Sequence, residues 1–174
     1  MQAHAFWKSV TMDRANMLEN LIALLSENGV RYCVIGGQAV NAYAEPLVSL
    51  DLDLVVAVDQ LAKAESLFTS RFRVERFPHS LNVSAEGSDL RVQIQTDPRY
   101  FEFVERACER EVLGVPMPVA RLEDVLQGKV WAALDAERRA SKRRKDLLDI
   151  ERILEVRPEL RGLVPASLLN KLAE

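Results

Sequence analysis

Residues 50–58 read LDLDLVVAV, a run suited to a buried strand in which Asp51 and Asp53 are separated by one leucine. Side chains at i and i+2 of a strand share a face, so Leu52, Leu54 and Val56 point one way and both acids the other. Two like charges one pleat apart repel, and unpaired acids in a central strand are costly. The bland account is the solvated face of an edge strand, which covers most isolated Asp-x-Asp patterns. The run LVVAV that follows argues for a central strand instead. A hard divalent cation between the carboxylates would relieve the repulsion and take phosphate oxygens as further ligands.

A glycine pair, Gly36-Gly37, precedes the acidic strand, where a short strand at 31–35 (RYCVI) hands over to a helix at 38–44. Glycine permits close backbone approach, and the free N–H groups of a helix start favour phosphate. Alone, such a corner is a weak signal. Together with the acids it makes a site for a nucleoside triphosphate: phosphates over Gly36, Gly37 and Gln38, and Mg2+ or Mn2+ on Asp51 and Asp53. The metal would neutralise charge developing on the phosphates during an in-line displacement.

Helical spacing of Met17, Leu18, Leu21, Ile22, Leu24 and Leu25 predicts a helix over 12–27, ended by Asn28-Gly29 with Gly29 as left-handed cap. Asp59 reads as the N-cap of a helix over 60–69. Three short strands follow at 72–77, 81–85 and 90–95, with Glu86-Gly87-Ser88 as the loop between the last two. Residues 100–108 read as helical, and 111–119, punctuated by Gly and Pro, as an edge hairpin. Two amphipathic helices, 122–137 and 142–154, and a final helical turn at 167–172 complete the chain. The expected architecture is α/β (α+β): a small mixed sheet flanked by helices over 1–120, with a helical part over 121–174 packed on it as one compact unit.

The net charge of -3 over 174 residues excludes a protein that coats nucleic acid through bulk charge, though not a local basic patch. Cys33 and Cys108 lie in apolar surroundings without metal-ligand spacing and read as buried thiols in a reducing compartment. No apolar run approaches the ~20 residues that span a bilayer, and the N-terminus lacks the pattern of a secretion signal. A cytoplasmic location without membrane contact is expected.

The glycine corner, its spacing to LVSLDLD (47–53), and a second block over 122–154 are similar to the nucleotidyltransferase superfamily related to DNA polymerase beta, in particular the AbiEii-like toxins. That second block pairs a lysine-bearing helix (LEDVLQGKVWAALD, Lys129) with RRKDLLD, which carries Arg143, Arg144, Lys145, Asp146 and Asp149. The resemblance covers about residues 31–154. It implies nucleotidyl transfer from a triphosphate to a hydroxyl of RNA, protein or a small molecule, and a cognate antitoxin as partner. It adds Lys129, Lys145 and Asp146 as catalytic residues, beside Asp51 and Asp53, and Ser49 as nucleotide-binding. Two departures stand out. The family arginine is Leu47. The third carboxylate, which holds metal and deprotonates the attacking hydroxyl, maps to Gln93. Asp89, Glu86 and Asp97 are substitutes of poorer position. General-base help is typically worth 10²–10⁴-fold, so the alternative is a catalytically impaired member of the fold that binds nucleotide or a protein partner.

The residues themselves leave other readings open. Lys129 can be an ordinary rim lysine that snorkels. The basic run from Arg138 can be a solvated helix start, or a lip that guides triphosphate or RNA. Lys145 and Asp149, four apart on one helix face, can form a structural ion-pair network with Asp146. A plain α/β domain that binds nothing is the third possibility.

Overall fold

The structure, a computed structural model, describes residues 2–13 and 16–174. It contains a seven-stranded mixed sheet in the order β3-β4-β5-β2-β1-β7-β6. The strands are β1 (Tyr32–Ile35), β2 (Asp51–Val56), β3 (Arg73–Phe77), β4 (Ser80–Ser84), β5 (Arg91–Gln95), β6 (Cys108–Val112) and β7 (Val115–Val119). The helices are α1 (Gln2–Val10), α2 (Met17–Glu27), α3 (Gly36–Asn41), α4 (Leu61–Arg71), α5 (Leu122–Leu134), α6 (Ala140–Val156) and α7 (Ala166–Leu172). This is the expected α/β class, and β2 is central: it pairs antiparallel with β1 and parallel with β5.

The alternation read in β2 and β5 holds. Leu52 and Leu54 are buried, as are Val92 and Ile94 on the neighbouring strand. The opposite face carries Asp51, Asp53, Gln93 and Gln95. One apolar cluster joins the sheet (Val34, Leu52, Val92, Val119) to α2 (Leu21, Leu25), α5 (Val125, Leu126) and α6 (Ile150, Ile153). Gly29 ends the α2 segment with φ +64°, as its cap role requires.

Several local expectations are corrected. The predicted helix over 12–27, two of whose residues lie outside the described ones, begins at Met17. Asp13 accepts the Met17 and Leu18 N–H groups and so caps its first turn. Another helix, α1, precedes it. Asp59 is not a cap but lies in a 3-10 turn (Val58–Gln60) and pairs with Arg31. The predicted helix over 100–108 is a 3-10 turn, Pro98–Val104, capped by Asp97, and Cys108 already belongs to β6. Cys108 is exposed rather than buried, because it starts an edge strand whose first four residues are open to solvent. The hairpin expected at 111–119 is longer, and only β6 is an edge; β7 runs parallel to β1. Its turn, Leu113-Gly114, has both φ values positive, and a Cβ on Gly114 would overlap the backbone of His4 in α1.

Candidate active site

Gly36 opens α3 directly after β1, with φ +69°. Beside it in the antiparallel ladder stands Asp53, paired with Ile35. A Cβ at position 36 would overlap Asp53 Oδ2. Glycine is therefore required twice over, by its backbone and by the carboxylate that leans on it. The corner and the acidic strand are one structural unit.

The loop before β2 is clamped. Gln38 Nε2 donates to the Ser49 carbonyl (3.3 Å), and Asn41 exchanges bonds with the Leu47 backbone (2.7 and 2.9 Å). Ser49 Oγ accepts the Asp51 N–H at 3.1 Å. Arg152 of α6 reaches Asn41 Oδ1 and the Glu45 carbonyl, both at 2.7 Å. Asp51 and Asp53 thus project from a strand whose entry is held by α3 and α6.

Over these acids lie α5 and α6. Lys129, 12% exposed at its side chain, donates to Asp146 Oδ1 (3.2 Å) and lies 2.8 Å from Asp149 Oδ2. Arg138 grips Asp146 with Nε and a terminal nitrogen (2.7 and 3.3 Å), and Arg152 takes Asp149 Oδ1 at 2.8 Å. Burial alone would push the Lys129 ammonium down, but the Asp149 and Asp146 carboxylates outweigh it and hold it above its ordinary value. Burial pushes the Asp53 carboxyl up to about 6; Lys129 opposes that shift and the neighbouring Asp51 adds to it.

A single cleft is lined by Gly37, Ser49, Asp51, Asp53, Lys129, Lys145 and Asp146. Gly36 lines an adjoining cavity that shares Asp53, Lys129, Arg138 and Asp146 with the cleft and adds Gln93 and Tyr100. Gln38 is the exception among the candidates: its side chain is buried and spent on the Ser49 loop, leaving only its backbone to face a ligand. Of the open readings, a Lys145–Asp149 pair does not form; Lys129 and Arg152 occupy Asp149 instead. Lys145 is exposed on the cleft wall. Arg138 and Lys142, part of the basic run that reads as a solvated helix start or a lip for triphosphate, also line the cleft, as does Arg152, which no sequence signal marks.

Among the described residues, no group of three or more His, Cys, Asp or Glu is disposed to hold an ion by itself. The protein offers two hard-oxygen donors on one strand face, opposite Arg138, Lys142 and Lys145. That set fits an Mg2+-like ion completed by phosphate oxygens, since Mg2+ is usually bound through one or two carboxylates plus substrate phosphates. Gln93 is paired with Asp53 in the parallel ladder, so an amide stands where the family resemblance implies a third carboxylate.

A family profile described as "Nucleotidyl transferase AbiEii toxin, Type IV TA system" matches residues 38–174. No curated protein matches the chain significantly in sequence. Solved structures share its fold. ANT(2'')-Ia in complex with adenylyl-2''-tobramycin superposes with a TM-score of 0.64 at 14% identity, over 90% of this chain and 97% of that one. An antigenic nucleotidyltransferase-like protein from Paracoccidioides brasiliensis gives 0.53 at 18%, over 96% and 85%. The lincosamide adenylyltransferase LnuA, lincomycin-bound, gives 0.52 at 13%, over 78% and 95%.

Proposed function

Because the chain belongs to the AbiEii toxin family of nucleotidyl transferases, we propose that it moves a nucleotidyl group from a nucleoside triphosphate to an acceptor hydroxyl. One observation carries the reading. Asp51 and Asp53 stand at a glycine corner and face a wall of Arg138, Lys142 and Lys145 across one cleft. Asp51 and Asp53 would hold Mg2+ or Mn2+, which when bound supplies charge neutralisation at the reacting phosphate. The backbone of Gly36, Gly37 and Gln38, with Ser49, would orient the phosphates at the start of α3. Lys145, Lys142 and Arg138 would balance the triphosphate charge. Lys129, held by Asp146 and Asp149, keeps a positive charge beside Asp53 without exposing it to solvent.

The acceptor is RNA, protein or a small molecule; the structurally similar ANT(2'')-Ia was captured with an adenylylated small molecule. The type IV toxin description supports an antitoxin as partner and a cytoplasmic setting. Among the described residues no helix is long and apolar enough to cross a membrane.

The test incubates the purified protein with labelled triphosphates, Mg2+ and a cell extract. Label transfer that disappears in Asp51→Asn is expected. Absence of any labelled product, with Asp51→Asn leaving the cellular phenotype unchanged, overturns the enzymatic reading. Gln93 favours a second reading, a slow or binding-only member of the family. In that case triphosphate binds with Mg2+ but does not turn over, and Gln93→Asp restores transfer.

A further inference from the structure

Arg91 opens β5 directly opposite Asp51 in the parallel ladder, while Asp53 faces the uncharged Gln93. Arg91 Nε stands 2.7 Å from Asp51 Oδ1. One of the two carboxylates in the cleft therefore already holds a cation that belongs to the chain. The pair is solvent-facing, with side chains 69% and 37% exposed, so it is weak and readily exchanged.

Resting on the reading of Asp51 and Asp53 as metal holders, we propose that Arg91 is a resident counter-cation. It competes with the divalent ion for Asp51 and ties metal binding to the arrival of the triphosphate. The physical basis is direct. Arg91 Nε lies 2.7 Å from Asp51 Oδ1, so its charge partly neutralises the carboxylate and repels a dication drawn to either of its oxygens at the ~2.1 Å that Mg2+ demands. Once displaced, Arg91 stays tethered to the neighbouring strand, beside a dication that repels it. Triphosphate reverses this balance. Its oxygens carry the negative charge that offers Arg91 a new partner while completing the metal's ligand set. The bare ion then binds poorly and the metal–nucleotide complex binds well, and by linkage each improves the other's affinity by the same factor. Arg91 acts here as a positioning residue, through Asp51.

Mn2+ titration of the metal-free full chain, followed by electron paramagnetic resonance, tests this with and without a non-hydrolysable triphosphate analogue. Without nucleotide, Arg91→Gln is expected to bind Mn2+ about three- to tenfold tighter than wild type. With the analogue, the gap should shrink to about twofold or less, because the phosphates have already engaged Arg91. Arg91→Lys, which keeps the charge, should behave like wild type. If Asp51→Asn loses Mn2+ but Arg91→Gln binds no tighter than wild type, the role of Arg91 is refuted while the metal site stands. If Asp51→Asn binds Mn2+ as wild type does, or no variant binds it under either condition, the site itself is wrong and Arg91 falls with it.

Discussion

The Asp53 carboxylate rests against the Gly36 backbone, shares a strand face with Asp51, and lies within the field of Lys129. Burial raises it from an ordinary 3.8 to about 6. An acid raised on folding binds its proton more tightly in the folded chain. Its ionisation therefore weakens the fold progressively from about pH 4 and fully above about pH 6. Asp53→Asn cannot ionise, so in metal-free buffer it is expected to melt a few degrees above wild type near pH 7.5. That gap should close as the pH falls from about 6 to 4, which calorimetry would follow. A gap that does not change with pH would mean that the Asp53 charge is not the strained group. The i, i+2 spacing of the acids was legible in the sequence. The contact of Asp53 with Gly36 was not, because it joins a strand residue to a helix start 17 positions earlier in the chain. Gln38 shows the same limit: chain proximity places it at the corner, and only the fold turns its side chain inward to the Ser49 loop.

At the level of elements, α5 and α6 differ from what their patterns suggested. The KDLLD segment reads as an i, i+4 pairing within one helix, yet its acids are claimed from elsewhere. Lys129 of α5 lies between Asp146 and Asp149, Arg138 reaches back from the α5–α6 connection, and Arg152 adds a link to α3. Removing Lys129 would leave two buried acids each with a single arginine. We expect Lys129→Met to lower unfolding free energy by about 3 kcal/mol in urea titration, the lower end for breaking a buried pair. Lys145, exposed and without an ion pair among the described residues, should tolerate Lys145→Ala within about 0.5 kcal/mol, while nucleotide affinity falls. Equal stability losses in the two variants would contradict this division between a structural and a ligand-facing lysine. Periodicity located both helices to within a few residues. It could not say which charged partners they would share, because that depends on how their axes cross.

Over the whole molecule, the apolar interior does not stop at residue 120. Val125, Leu126, Ile150 and Ile153 belong to the same cluster as Val34, Leu52 and Val119. The cleft likewise combines Asp51 and Asp53 of the sheet with Lys129, Arg138, Lys142, Lys145, Asp146 and Asp149 of the C-terminal part. A fragment of residues 1–120 is therefore expected to lack a cooperative thermal transition and to be cleaved rapidly by protease. The full chain should melt in one step, as small single domains usually do. A fragment that melts cooperatively would show that the helical part is an appendage. The change in sequence character at Ala120 marks a change of element type, since helices begin there, and the core runs on across it.

Sequence alone determined the strand face of Asp51 and Asp53, the glycine at the corner and the alternation of β5. Each of these follows from local periodicity or from a backbone conformation that one residue type favours. Tertiary structure decided that Arg91 grips Asp51, that Lys129 bridges two acids of α6, that Cys108 is exposed, and that Gln93 stands beside Asp53. These are pairings between segments distant in the chain. Charge and size permit many such pairings, and only the packing of strand on strand and helix on sheet selects among them.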